Sequence, residues 1–542
     1  LLGSFARVAV SASENGEFGG IVGRRIVGMD TPRASAPTET ARAEAARGEA
    51  VSAAGALDAR AAYAVIRARD ARFDGRLFVG VSTTRIYCRP VCTAKTPRAE
   101  RCSFFASAAA AERAGFRPCL RCRPELAPGL ARVDALSRLA QRAVRRIEDG
   151  ASALPELARA LGVSERHVRR AVGAELGVAP AELIRTRRLL LAKQLLTDTQ
   201  LPITRVAFAS GFASLRRFNA AFQERYRLAP TALRKSAVSA PRRTTGAAAP
   251  LDAFALDLPH RPPLAWDALL GFLAPRATSG VEVAGDGCYA RTVEIGGRRG
   301  WVRVAPSPRG HALRAEISAS LAPVLLPVAA RLRALFDLAA DPARIEAQLG
   351  ADPTLRALVA RRPGLRVPGA FDGFELLARA ILGQQVSVAA ATTFAARLGE
   401  RFGEALETPV AGLTRLTPSA ARIASARVDA LAAVGLTRAR AESLRAAARA
   451  CADGALDLAP GADPDAVREA LLALPGVGPW TAEYVLMRAV AWPDAFPHGD
   501  LGLRRALGES DASAVLARAE AWRPWRAYGA LQLWTSLAKE NA

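Results

Sequence analysis

Two tight cysteine pairs constrain this chain more than any other feature. Cys88 and Cys92 form C-x3-C, Cys119 and Cys122 form C-x2-C, and 26 residues separate the pairs. Each pair can grip one ion and the gap can hold a small folded lobe, so four thiolates fit one closed tetrahedral Zn²⁺ site. Spacing alone leaves two readings open: a purely structural zinc knuckle, or a site whose sulfur does chemistry. Zn²⁺ keeps thiolates deprotonated at neutral pH, which makes a bound sulfur a nucleophile without a separate base. With seven cysteines in all, four of them so paired, the pattern points to metal rather than a disulfide framework, and to a reducing cytosol.

At 542 residues the chain is too long for one hydrophobic core, and three or four domains are expected. No run of 18 apolar residues appears, so no membrane span is expected, and the N-terminus shows no secretion signal. The net charge of +24 is unevenly spread. Residues 57–135 carry 15 basic against 7 acidic side chains, 136–250 carry 21 against 8, and 251–542 carry 33 against 30. A polyanion is therefore expected on 57–250. The preference for Arg over Lys and the abundance of Ala suggest a compositional bias, but such a bias does not place the surplus in one part of the chain.

The chain reads as multidomain and mainly α. Residues 1–56 are a disordered extension by composition, with Met29 a candidate start. Residues 57–130 form a small α+β zinc domain, and 131–236 an all-α domain of consecutive short amphipathic helices. Residues 237–253 are a linker. Strand-like runs at 289–295 and 300–304 place an antiparallel α/β domain over 254–338, and 339–542 return to helices.

Two helix-turn-helix units are visible. Leu154–Leu161 is broken by Gly162, and Ser164 caps a second helix over 165–172; Ile203–Ala209 turns at Gly211, and Ser214 caps Leu215–Tyr226. The second helices carry Arg166, His167, Arg169 and Arg170, then Arg216, Arg217 and Asn219, types that pair with bases or phosphate in a major groove. A lone unit could be an ordinary helical hairpin; two in the most basic segment point to DNA. With Pro202-Ile203, Ala207-Phe208, Gly211-Phe212, Phe218, Tyr226 and Pro230, residues 135–235 resemble the AraC family of transcription activators. That resemblance implies recognition helices in adjacent major grooves and RNA polymerase as a further partner.

Beside these units the cysteines gain context. Thr83-Thr84-Arg85-Ile86-Tyr87-Cys88-Arg89-Pro90-Val91-Cys92 and Gly115-Phe116-Arg117-Pro118-Cys119-Leu120-Arg121-Cys122 look like the N-terminal domain of Ada methylation-response proteins, over about 57–128. The resemblance implies that Cys88 accepts a methyl group from a DNA methylphosphotriester, with the other three cysteines holding the metal. Losing one thiolate charge would weaken repulsion of the phosphate backbone and raise DNA affinity. Thr84, Lys95 and Arg121 could hold that backbone or be solvated surface groups. Cys102, Cys288 and Cys451 read as buried or incidental thiols. A Pro-Cys-His-Arg acceptor motif is absent from the chain, so reversal of O6-methylguanine is not expected.

Leu474-Pro475-Gly476-Val477-Gly478-Pro479-Trp480-Thr481-Ala482 is a helix-hairpin-helix signature, its Gly476 and Gly478 letting backbone amides approach a phosphate. Twenty residues past Trp480 comes Asp500, and the combination resembles the helix-hairpin-helix DNA glycosylases. Leu270-Gly271-Phe272-Leu273, Arg362-Pro363-Gly364-Leu365-Arg366, 380–388 and Trp522-Arg523-Pro524-Trp525-Arg526 make the segment look like AlkA-type 3-methyladenine glycosylases over 256–537. The resemblance gives Asp500 the catalytic role. Asp494, its nearest competitor, reads as a turn or cap. Strand-cutting members carry a lysine where this chain has Trp480, so a glycosylase without lyase activity is implied; the cysteine cluster of iron–sulfur members is missing, since only Cys451 lies beyond Cys288, so no iron–sulfur cluster is expected. Trp480, Tyr484 and Trp534 either stack on a flipped, electron-poor base or are core aromatics. Gln385 stands where the family has an apolar wedge, and His498 takes no role.

The expected protein is thus a fused alkylation-damage responder, with one four-cysteine Zn²⁺ site, a methyl-activated DNA-binding switch and a glycosylase for alkylated purines. It is expected to act on double-stranded DNA as a monomer, in a bacterial cytoplasm at the nucleoid. The alternative is a transcription regulator whose glycosylase-like half is a non-catalytic DNA-binding body.

Overall fold

The computed structural model describes residues 58–129, 138–151, 153–238 and 252–537. The extension 1–56 with Met29, most of the linker and the last five residues lie outside the described residues.

The first lobe opens with helix Ala59–Ala68, whose N-cap Asp58 accepts from Ala61 N at 2.6 Å. Four strands follow: β1 (Phe78–Val81), β2 (Ile86–Cys88), β3 (Cys102–Phe105) and β4 (Arg117–Pro118), in the order β3-β1-β2-β4. Alternation sorts the side chains: Phe78, Tyr87, Phe105 and Phe116 pack one face with helix Ala108–Arg113, while Val79 and Phe104 meet Ala62, Val65 and Ile66 on the other. The β2–β4 pair is parallel, and Cys119 N donates to Tyr87 O at 3.0 Å. That pairing carries the second cysteine pair to the end of the strand that holds the first.

Helices Arg138–Glu148, Leu154–Leu161, Glu165–Leu176, Pro180–Asp198, Ile203–Ala209, Leu215–Tyr226 and Pro230–Val238 follow. Gly162 has φ +68° and Gly211 φ +84°, the left-handed turns each helix-turn-helix needs. Ser164 Oγ and Ser214 Oγ accept from His167 N and Arg217 N, each at 3.3 Å. One element departs from the expected short amphipathic pattern. Pro180–Asp198 is 19 residues long, and its stretch Leu189–Leu196 is buried on nearly every side, because the zinc lobe, both helical units and the following sheet all cover it. Its polar residues find partners within that cover: Thr186 Oγ1 donates to Glu112 Oε2 at 2.6 Å, Lys193 pairs with Glu125, and Gln194 Nε2 donates to Asp257 O at 2.9 Å.

The second sheet is antiparallel throughout: β5 (Ala253–Pro259), β6 (Glu282–Gly285), β7 (Cys288–Ile295), β8 (Arg298–Pro306) and β9 (Ala312–Ser318), ordered β5-β9-β8-β7-β6. Gly296 and Gly297, both at positive φ, close the β7–β8 hairpin. Leu313, Ala315 and Ile317 of β9 point into a core shared with Trp266–Leu273, Leu325–Leu335 and residues of the preceding helical units, including Leu195, Phe218 and Phe222. From Leu325 the described chain is helical to Leu537, and Gly373–Leu382 is the buried axis of its largest core. Among the described residues no helix is long and apolar enough to cross a membrane.

Two buried arginines join these parts. Arg261 donates to Asp74 O (3.0 Å) and Gly129 O (2.8 Å) of the zinc lobe and to Ala339 O (3.1 Å), while Arg366 donates to Asp337 O at 2.8 Å and to Arg261 O. His260 sits among them, 8% exposed, and burial and the Arg366 charge hold its imidazole down at about 4. Between pH 6.5 and 4 the unfolded chain therefore binds a proton that the folded chain refuses, so stability falls as pH drops through that window. The loss is about 3 kcal/mol at most, and urea denaturation at pH 7 and pH 4.5 should show a smaller drop in His260→Gln than in the wild type.

Candidate functional site

The four predicted ligands converge. The sulfurs of Cys88, Cys92, Cys119 and Cys122 all lie within 4.8 Å of one another, and ligands at about 2.3 Å from a tetrahedral Zn²⁺ are about 3.8 Å apart. The donor set thus fits one zinc ion. Arg89 N donates to Cys122 Sγ and Arg121 N to Cys119 Sγ, each at 3.4 Å. Among the described residues no backbone N–H falls on Cys88 Sγ. Arg89 also reaches Cys122 O at 3.1 Å and is gripped by the buried Asp74 carboxylate, which steadies the ligand loop. Cys102 lies on β3 outside the cluster, donating to Arg98 O at 3.3 Å, and burial pushes its thiol up to about 11. Thr84 and Arg121 on turns, and Lys95 on irregular chain, are all exposed on this lobe.

On the helical units the predicted DNA-facing residues share exposed faces. Arg166, His167, Arg169 and Arg170 stand opposite buried Val168, Val172 and Leu176; Arg216, Arg217 and Asn219 stand opposite Phe218, Phe222 and Tyr226. Arg169 pairs with Glu165 at 2.9 Å.

The hairpin joins Pro464–Leu472 to Pro479–Arg488. Gly476 has φ +74°, and a Cβ there would stand 2.4 Å from Ser443 Oγ; Gly478 is the N-cap of the second helix, open to solvent. Asp500 is the N-cap of Leu501–Leu507. Its Oδ1 accepts from Leu503 N (3.0 Å) and Trp534 Nε1 (2.9 Å), and its Oδ2 from Trp480 Nε1 (2.8 Å). Trp480 and Tyr484, one helical turn apart, stack with ring centroids 5.1 Å apart and planes at 10°, and Trp534 stands 6.4 Å from Tyr484. One carboxylate therefore orients two indoles, and all three predicted aromatics line one cavity of about 470 Å³ with Asp500.

Among the lining residues that the sequence reading gave no role are Phe272, Arg276, Arg379 and Arg488. Arg488 donates to Tyr484 OH at 2.6 Å and to Pro368 O and Gly369 O, and Arg276 lies 3.9 Å over the Phe272 ring. Burial alone would raise the Tyr484 phenol, but the Arg488 and Arg276 charges outweigh it and hold the phenol below its ordinary value. Arg379 is neutralised behind the pocket by Glu282 (2.6 Å) and Glu375 (3.4 Å), which Arg291 also contacts. Burial would push the Glu282 carboxyl up, yet Arg379 and Arg291 hold it at about 2. The available signal was an arginine inside an apolar helical run, as in Ala378-Arg379-Ala380-Ile381 and Leu486-Met487-Arg488-Ala489.

Asp494 lies in a turn, as expected, but caps no helix. It is buried in an ion pair with Arg526 (2.8 Å) and Arg523, away from the pocket. Gln385 is exposed at φ +55° on the turn before Val388–Phe402, and His498 N donates to Phe496 O at 2.9 Å.

Four family descriptions match successive parts of the chain. They are the metal binding domain of Ada over residues 61–125, a helix-turn-helix domain over 157–236, the AlkA N-terminal domain over 255–372, and the HhH-GPD superfamily base excision DNA repair protein over 378–525. A probable bifunctional transcriptional activator/DNA repair enzyme AlkA of Mycobacterium tuberculosis is 40% identical over 482 residues, 88% of this chain and 96% of its own length. DNA-3-methyladenine glycosylase 2 of Escherichia coli is 38% identical over 274 residues, 51% of this chain and 94% of its own. The bifunctional transcriptional activator/DNA repair enzyme Ada of Escherichia coli is 38% identical over 117 residues, 21% of this chain and 32% of its own.

Proposed function

We propose the following for this chain, which belongs to the family of bifunctional transcriptional activator/DNA repair enzymes: its C-terminal half excises 3-methyladenine-type bases from double-stranded DNA, and its Cys88 takes a methyl group from methylphosphotriesters. The observation that carries the first part is the Asp500 carboxylate, fixed by three N–H donors at the wall of an aromatic cavity.

A base alkylated on a ring nitrogen is cationic, so its bond to C1′ breaks with little protonation of the leaving group. The base departs with the electron pair. Positive charge then grows on the sugar, where a nearby carboxylate stabilises it, and water supplies the oxygen that ends on C1′ while losing a proton. Trp480 and Trp534 offer faces to a flipped, electron-poor ring, and their N–H groups keep the carboxylate from turning away. Glycine at 476 and 478 lets the hairpin approach the phosphate backbone. Trp480 offers no amine, which fits cleavage of the base without cutting the strand.

On the zinc lobe, Cys88, Cys92, Cys119 and Cys122 would hold a zinc ion, whose charge would keep their sulfurs as thiolates. Cys88 Sγ attacks the methyl carbon of the phosphotriester; an S–C bond forms as the C–O bond breaks, and the phosphodiester leaves as an anion. Cys119 and Cys122 each receive a backbone N–H, which lowers the nucleophilicity of their sulfurs, whereas Cys88 keeps its electron density. The reaction is stoichiometric. Removing one thiolate charge raises affinity for DNA, so that Arg166, Arg170, Arg216, Arg217 and Asn219 can engage a promoter and RNA polymerase can be recruited. In this reading the chain works as a monomer at the nucleoid of a bacterial cytoplasm.

Asp500→Asn should bind methylated duplex as the wild type does but release 3-methyladenine about 100-fold or more slowly. Release at the wild-type rate would make the C-terminal half a non-catalytic DNA-binding body. Mass spectrometry after incubation with methylated DNA should find one methyl group on Cys88. Cys88→Ser should lose it and Cys102→Ser should keep it; a methylated Cys88→Ser protein with its metal content intact would remove Cys88 from the role.

A further inference from the structure

On the glycosylase reading, two elements would meet the duplex: the glycine hairpin at 473–478, on its phosphate, and the turn at 383–387, which carries Gln385 beside the pocket. They are about ninety residues apart in the chain, and one side chain spans them. Gln384 Nε2 donates to Gly476 O at 2.9 Å and to Thr481 Oγ1 at 3.1 Å, so it holds both the apex of the hairpin and the first turn of the helix that carries Trp480 and Tyr484. Its own backbone is held from a third element. Arg440, on helix Arg438–Ala452, donates to Gln384 O at 2.7 Å, and Ser443 on the same helix packs beneath Gly476.

We propose that Gln384 is the positioning residue that registers the turn of Gln385 against the phosphate-holding hairpin, so that flipping a base out and filling its place happen as one movement. This rests on the glycosylase reading above. Gln385 sits at φ +55°, a conformation that costs a non-glycine residue energy unless its surroundings impose it. The bonds on either side of Gln384 supply that imposition: its side chain is tied to the hairpin and its carbonyl to Arg440. The exposed Gln385 side chain is thereby projected from a rigid turn at the rim formed by Gly383, Val386 and Ser387. A side chain that must enter a duplex at a fixed distance from a phosphate contact needs such a strut, because a displacement of about 1 Å is enough to cost about 100-fold in rate. Gln384 touches neither the base nor the sugar in this arrangement; it acts through Gln385 and the hairpin.

The test compares wild type and Gln384→Leu, which keeps the bulk and loses the donor, with Arg440→Ala as a second, milder variant. Each is checked for an unchanged thermal melt. Single-turnover release of 3-methyladenine is measured on a fully paired duplex and on one with an abasic site opposite the lesion, where the base is already free to leave the stack. Duplex affinity and 2-aminopurine fluorescence beside the lesion report binding and flipping. Gln384→Leu should lose about 10- to 100-fold in release and flipping on the paired duplex, change affinity less than about threefold, and recover most of its rate on the pre-opened duplex. An equal loss on both duplexes would assign Gln384 to the chemistry or the fold, and no loss on either would leave it without a role; both overturn the proposal. Absence of release by the wild type on both duplexes would instead strike the glycosylase reading itself.

Discussion

Three N–H groups converge on the Asp500 carboxylate, from the Leu503 backbone and from the indoles of Trp480 and Trp534, and the pocket takes its shape from that convergence. Each donor comes from a different helix, so the carboxylate fixes not only its own direction but the relative placement of Pro479–Arg488, Leu501–Leu507 and Arg526–Leu537. The indoles in turn present flat faces because their edges are engaged, and Tyr484 stacks on one of them. Capping, wall-building and charge are thus carried by one side chain. An acid placed there has to serve the helix whether or not it serves a reaction, and this is why activity rather than stability decides its role.

Charge is handled differently away from the pocket mouth. Arg261 and Arg366 are almost completely buried and donate to backbone carbonyls where lobe, sheet and helices meet. Behind the pocket, Arg291 and Arg379 are balanced by Glu282 and Glu375 in a compact buried quartet. Such groups add little net stability over apolar packing, but they make a shifted register costly because it would strand a buried charge. The helix Pro180–Asp198 shows the same logic between halves: its apolar residues fill two cores, Lys193 finds Glu125 and Cys119 O in the zinc lobe, and Gln194 finds Asp257 O in β5.

Much of this was legible in the residues because the determinants are local. The cysteine tetrad announces itself by spacing, Ser164 and Ser214 by standing before apolar-periodic helices, and Asp500 by the resemblance of its segment to the helix-hairpin-helix glycosylases. What could not be read depends on long-range packing. Phe272 and Arg276 come to the pocket from more than two hundred residues upstream; the segment Leu270-Gly271-Phe272-Leu273 carried a family resemblance, but nothing in it marked a place in the pocket. Gln384 looks like half of a polar pair until its amide is seen on Gly476. Pro180–Asp198 hides its helical period because Leu189–Leu196 is covered on nearly every face, which erases the polar stripe that periodicity relies on. Asp494 read correctly as a turn, but its ion pair with Arg526 lies across thirty-two residues and left no local trace.

The central claim is that Asp500 faces the positive charge that develops on the sugar. The most direct measurement is the affinity for a duplex in which a cationic pyrrolidine replaces the sugar of the damaged nucleotide, compared between wild type and Asp500→Asn. A carboxylate that stabilises this charge predicts binding weakened by about 100-fold in the variant, against little change for an undamaged duplex. Equal affinity of the two proteins for the cationic duplex would contradict the account.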